Sequence, residues 1–207
     1  MTTGTAHFTD RDVCISSHYR PRFPYSTLKC IGRALFRSRS ARDYACLLDL
    51  DPKVSAWRCM PLPIIDEPEP GKLREHYVDF AVETESEALL VDVQSADPGI
   101  VGWIAAAAEQ QGYRYRAVSF PELARSPRLQ NAKDLIRYAG YHAPLGDRIR
   151  ILAALEEMGT LTLAECLSVV RESMPMPTVV AMILAGILQI DLDEALLGPE
   201  TVVRRAA

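Results

Sequence analysis

Hydrophobic and polar positions change period along this chain, and the changes mark its elements. Residues 77–82 alternate, with Val78, Phe80 and Val82 on one face and Tyr77, Asp79 and Ala81 on the other. Residues 89–94 alternate as well, with Leu89, Val91 and Val93 against Leu90, Asp92 and Gln94. A period of two predicts strands, and the acidic, polar stretch between them predicts a turn about Glu85 and Ser86. A hairpin closing there joins the two apolar faces and sets Asp79 opposite Asp92. Downstream, Ile100, Trp103, Ile104 and Ala107 recur at helical spacing, which predicts a helix over 99–111, opened by Asp97-Pro98 and stopped at Gly112. Residues 113–120 alternate again as a strand. A strand, a helix and a strand of these lengths predict a crossover with the two strands parallel.

Upstream of the hairpin, Ser40 is placed to cap a helix over 41–50, with Tyr44, Leu47 and Leu48 on one face and Asp51-Pro52 at its end. Residues 54–64 read as a strand whose prolines put its end at a sheet edge or a turn, and 66–71 as a loop. A short helical turn at 121–124 and a helix over 131–140 follow. From Pro144 the pattern differs. Residues 146–158 carry Ile149, Leu152, Ala153 and Leu155 on one helical face and stop at Gly159, and the capping box Thr162-Leu-Ala-Glu165 opens a second helix. Pro177 suits the first turn of a third helix ending near Gly186, and residues 188–192 and 201–205 read as two short strands. Three helices and a two-stranded ribbon are the pattern of a winged helix. The expected class is α/β (α+β): a mixed sheet flanked by helices, then a small winged-helix domain. The expected division is a basic N-terminal arm over 1–39, a sheet domain over 40–142 and the winged helix over 143–207.

Composition adds few restrictions. Hydrophobic residues make up 48% of the 207 residues, charged ones 24%, and the net charge of −4 argues against a wholly basic nucleic-acid coat protein. The apolar runs are too short or too interrupted to span a bilayer, and the N-terminus lacks the basic start and apolar core of a signal peptide, so no membrane partner and a cytoplasmic location are expected. The five cysteines are scattered and form no CxxC pair, which fits reduced thiols. Charge is uneven, however. Arg20, Arg22, Lys29, Arg33, Arg37, Arg39 and Arg42 succeed one another with no acid among them from 20 to 42, and Tyr19, Phe23, Tyr25 and Phe36 are interleaved. Two readings follow: a basic arm lying on nucleic-acid phosphates, or a strap that ties the N-terminus onto the domain.

The facing acids carry the candidate chemistry. Two carboxylates that close repel one another unless something positive sits between them, and a divalent metal ion is the usual solution. Mg²⁺ favours carboxylates and water, and would activate a water and neutralise charge at a phosphodiester. The other reading is two solvated acids on an exposed strand face. Asp92 lies within LLVDVQ, flanked by valines and followed by a helix that should cover the sheet, which favours a carboxylate that is not free to solvate. His76 and His142 lack partners at metal spacing, and Trp57 and Trp103 read as core.

Residues 40–64 (SARDYACLLDLDPKVSAWRCMPLPI), then HYVDFAV, then LLVDVQ, resemble the N-terminal domain of the TnsA endonuclease family of heteromeric transposases, which has a restriction-endonuclease-like, PD-(D/E)xK fold. The winged helix resembles that family's second domain. The resemblance implies a DNA endonuclease subunit, with Asp79 and Asp92 holding Mg²⁺, Gln94 placing the attacking water, DNA as a partner, and a transposase or ATPase regulator met through the winged helix. Three positions depart from the family pattern. The helix Glu falls at Ala41, the Gln-Pro pair becomes Met60-Pro61, and the Lys of acid-x-Lys becomes Gln94, which can hold a water but supplies no charge. These departures imply a DNA-binding relative acting in transposition or recombination whose metal-dependent cleavage is weakened or lost. One alternative is an active Mg²⁺-dependent endonuclease cutting transposon ends. A second is an unrelated two-domain DNA-binding or protein-interaction regulator. The third helix of the winged domain, TVVAMILAG over 178–186, has no charge and no amide, so it reads as a core or partner-binding helix rather than one that reads a major groove.

Overall fold

A computed structural model of the chain describes residues 27–61, 63–94 and 102–206. Arg20, Arg22, Asp97, Pro98 and Ile100 lie outside the described residues. Its described residues form two compact units, one over 29–123 and the other over 124–206 together with 27–28.

The first unit runs α1 (Arg39–Leu50), β1 (Val54–Cys59), β2 (Ile64–Glu69), β3 (Lys72–His76), β4 (Phe80–Thr84), β5 (Ala88–Gln94), α2 (Gly102–Gln110), β6 (Arg114–Ser119) and α3 (Phe120–Leu123). Its main sheet has the order β1-β4-β5-β6, with β1 and β5 antiparallel to β4 and with β6 parallel to β5. The hairpin has the expected register: Phe80 pairs with Val91, Ala81 with Leu90 and Val82 with Leu89. The ladder begins one residue after Asp79, whose backbone N–H still reaches Val91 O at 3.0 Å. Both faces of this sheet are buried. Phe80, Val82, Leu89, Val91 and Val93 pack with Trp57 and the α1 residues Ala41, Tyr44, Ala45 and Leu48. Ala81 and Leu90 pack on the opposite side with Ile104, Ala107 and Ala108 of α2. A slip of one residue would drive a carboxylate into the aromatic cluster of Trp57 and Phe80, so the acids enforce the register along with the apolar pattern.

Three local expectations are corrected here. The strand expected over 54–64 is broken. Its end turns at Met60, which has φ +38° ahead of Pro61, and Ile64 begins a separate hairpin. Residues 66–69, expected in a loop, are part of β2, which pairs with β3 around a turn at Gly71 (φ +78°), with an irregular register where Pro68 cannot donate to the ladder. The cap of α1 is Ser38 rather than Ser40: its hydroxyl accepts from the N–H of Ala41 at 3.0 Å.

The second unit runs α4 (Pro127–Ile136), α5 (Leu145–Met158), β7 (Leu161–Thr162), α6 (Leu163–Val169), α7 (Pro175–Leu184), β8 (Leu188–Ile190) and β9 (Val202–Arg205). Its sheet has three strands in the order β7-β9-β8, where two were expected, because Leu161 and Thr162 pair with Val203 and Val202. The capping box at Thr162 and Glu165 forms in full. The helix expected over 131–140 starts earlier, since Ser126 caps it and Pro127 opens it. The boundary expected at 142/143 falls inside this unit. Asn131 of α4 is buried, donates to Leu192 O and Ala195 O at 2.9 and 2.8 Å and accepts from Leu197 N at 2.9 Å, so α4 holds the loop between β8 and β9. Among the described residues no helix is long and apolar enough to cross a membrane.

Candidate functional site

The acid pair lies where β4 begins and β5 ends. Asp79 and Asp92 are 4% and 2% exposed, so neither is a solvated strand-face acid. Asp92 projects to the α2 side with Leu90, and each acid is tied to the other strand's backbone. Asp79 Oδ2 accepts from Val93 N at 2.8 Å, and Asp92 Oδ1 accepts from Asp79 N at 3.2 Å.

The positive group between them belongs to the chain. Arg37 donates from Nε to Asp79 Oδ1 at 2.9 Å and from Nη2 to Asp92 Oδ1 at 3.2 Å. Two further side chains close on Asp92 Oδ2: His76 Nε2 at 2.5 Å and the Tyr115 hydroxyl, which donates at 2.8 Å. Burial and the bond to Asp92 push the Tyr115 phenol well above its usual range, so it stays a protonated donor.

Each donor arrives on an anchored element. Arg37 follows Phe36, which is buried against Trp57 and Phe80 with ring centroids 6.3 and 6.4 Å away, and precedes the α1 cap Ser38. The strap upstream runs parallel to β1: Trp57 N donates to Lys29 O at 3.1 Å and Ile31 N to Trp57 O at 2.8 Å. Asp49, itself buried, accepts from the Lys29 backbone at 3.0 Å and from the Trp57 indole at 2.7 Å. His76 ends β3. The hairpin carrying it packs on α2 through Ile64 and through Arg74, whose guanidinium lies 4.3 Å from the centre of the Trp103 ring. Arg74 is also paired with Asp66, and His76 meets the edge of Trp103 at 6.3 Å. Tyr115 lies opposite Leu90 on the parallel β5–β6 ladder, on the face that carries Asp92.

The other expected site residues are distributed differently. Gln94 is half-buried at the end of β5 and pairs with Ser119. Lys29 Nζ donates to Asp51 O at 2.6 Å, and Arg42 donates to Asp43, so these two cations of the basic run are engaged within the fold. Arg33 and Arg39 are exposed. His76 and Tyr115 are missing from the expected site, and Arg37 is expected on phosphate rather than on the acids.

This donor set does not fit a divalent cation while Arg37 is seated. Every oxygen of the pair faces an N–H, an O–H or the His76 ring nitrogen, and Ala41 of α1 is buried against the sheet and carries no ligating atom. Among the described residues no cluster of three or more His, Cys, Asp or Glu is placed to hold a metal ion. What the arrangement does chemically is hold two buried carboxylates under one guanidinium that is about one-third exposed.

In the second unit the middle of α7 is enclosed on every side. Thr178, Val179, Val180, Ala181 and Met182 are all buried, and α4 packs on it. The exposed polar groups of the ribbon are Gln189, Arg204 and Arg205. An open groove of about 620 Å³ is lined by Arg137, Tyr138, Tyr141, Met174 and Pro177 among others. No protein-family model and no curated protein sequence matches the chain.

Proposed function

We propose that this chain is a TnsA-like, nuclease-fold subunit that holds DNA during transposition or recombination and has lost metal-dependent cleavage. The order of elements supports the fold. With the β2–β3 hairpin set aside, the first unit runs helix, three antiparallel strands, crossover helix and parallel strand, with one acid at the start of the central strand and Asp92-x-Gln94 at the end of the next. The second unit supports a winged-helix reading through its three helices and three-stranded sheet. With α7 sequestered, that unit serves protein contact rather than base reading. The observation that carries the loss of cleavage is Arg37 bonded to both acids, in a setting that also lacks the helix acid and the lysine.

The deciding experiment is nicking of supercoiled and transposon-end DNA in Mg²⁺ or Mn²⁺, with candidate partner proteins added. Binding without cleavage is expected, unchanged in Asp79→Ala and Asp92→Ala variants that remain folded. Metal-dependent nicking abolished by those substitutions would establish the active-endonuclease reading instead. DNA contact falls to the exposed Arg33 and Arg39. Replacing both with Ala should flatten the dependence of log affinity on log salt by about two units, roughly 0.9 per phosphate contact. An unchanged slope removes these residues from the interface.

A further inference from the structure

A guanidinium differs from a metal ion as the solution to facing carboxylates. Its charge is permanent, its donors form a rigid planar fork, and it is delivered by the chain rather than drawn from solution. The position of Arg37 is set by its neighbours along the chain. Buried Phe36 on one side and the helix cap Ser38 on the other fix its backbone, and the strap behind it is bonded to β1 and to Asp49. The fork meets one oxygen of each acid. The remaining oxygens are met by Val93 N, Tyr115 and His76.

We propose that Arg37 is the resident countercation of this acid pair, so that the pair takes a divalent cation only when the guanidinium is removed. The inference rests on reading Asp79 and Asp92 as the acid pair of a nuclease fold, and it is tested without DNA, so that a failure here leaves the DNA-binding reading to its own assay. Two consequences follow from the geometry. Removing the guanidinium leaves two buried carboxylates facing one another with no charge between them, and it frees Asp79 Oδ1 and leaves Asp92 Oδ1 with the Asp79 N–H alone. A hard divalent cation answers both changes, since it binds carboxylate oxygen and supplies the lost charge.

The probe is Mn²⁺ alone, followed by calorimetry and by the loss of the free-ion electron paramagnetic signal, on the full chain. Wild type should show no one-to-one site. Arg37→Ala should bind one Mn²⁺ per chain, with affinity tighter than wild type by about tenfold or more. Adding Asp92→Asn to Arg37→Ala should abolish that site. Arg37→Lys, which keeps a cation on the strap, should stay close to wild type. Should Arg37→Ala fail to fold alone, refolding in excess Mn²⁺ but not in excess K⁺ is the expected result, and failure in both overturns the proposal. It is also overturned if wild type binds one Mn²⁺ in a manner lost in Asp92→Asn, or if folded Arg37→Ala binds none.

Discussion

Each unit buries acids, and the two solutions differ. In the first unit, Asp79 and Asp92 share Arg37, His76 and Tyr115, which are side chains sent from a strap, a hairpin and a strand. In the second, Asp147 near the start of α5 is a single acid, held by two backbone N–H groups of one loop and by two side chains. Arg171 N and Glu172 N donate to its carboxylate at 2.8 and 3.2 Å, the Ser173 hydroxyl donates at 2.7 Å and Arg150 at 2.9 Å. Both sites take two backbone N–H bonds, but at Asp147 they converge on one carboxylate and tie a loop to a helix, whereas at Asp79 and Asp92 each acid has one. A carboxylate pair whose countercharge is one side chain can be re-partnered by a single mutation or by an added ion. That is a property of sites rather than of scaffolds.

The sharpest break in this contrast is Arg37→Ala. It strips the charge from a buried pair and should cost the first unit about 2–4 kcal/mol, at or below the usual range for breaking a buried ion pair because the guanidinium is partly exposed. Denaturant unfolding followed by tryptophan fluorescence reads this unit directly, since Trp57 and Trp103 are the only two tryptophans and both lie in it. Adding Asp92→Asn should recover at least about 1 kcal/mol by removing one of the two stranded charges. No recovery would mean that Arg37 acts by packing rather than by charge.

On the other side of the comparison, Asn131→Ala deletes three bonds from a buried side chain to backbone and should cost about 2–3 kcal/mol. No second-site partner exchange restores it. Faster amide exchange at Leu197, whose N–H it frees, checks the mechanism. Tyr115→Phe is milder, about 1–2 kcal/mol, because His76 still meets the same oxygen of Asp92. If it costs as much as Arg37→Ala, the acids depend on a network rather than on one countercharge. Arg33→Ala and Arg39→Ala should leave stability within about 0.5 kcal/mol, as exposed positions do, and show only in the salt dependence of DNA binding.

The last effect is absent at neutral pH. Burial pulls the Asp147 carboxyl upward, but the N–H groups of Arg171 and Glu172, the Ser173 hydroxyl and Arg150 together hold it below the ordinary carboxylate range. A group lowered on folding contributes stability that is present above its unfolded value, about 3.9, and is lost as pH falls through the lower folded one. Wild type should therefore lose second-unit stability below about pH 4, and that part of the acid slope should be missing in Asp147→Asn. Far-UV circular dichroism melts between pH 6 and about 3 test this. An identical slope in both proteins refutes the assignment.

Much of the architecture was legible in periodicity, because local pattern and turn chemistry suffice to set it. Alternation in 77–82 and 89–94 with a polar turn between them leaves one register that joins the apolar faces, and that register is observed from Phe80 onward. The crossover helix dictated that β6 run parallel to β5. Capping chemistry placed α6, and the same chemistry stands at Ser38 and at Ser126-Pro127, where a serine two residues downstream or a longer polar run competes with it. The β2–β3 hairpin was obscured because its residues alternate weakly and include Pro68. The partners of the acids were not legible at all. Arg37, His76 and Tyr115 are 55, 16 and 23 residues from Asp92. Nothing in local spacing says which cation of a basic run turns inward, or how far β6 slides along β5. Those choices are made by long-range packing: Phe36 on Trp57 and Phe80, Arg74 on Trp103, and the ladder that sets Tyr115 beside Leu90. The sequence placed two acids face to face, and only the tertiary fold decided that the charge between them would be an arginine.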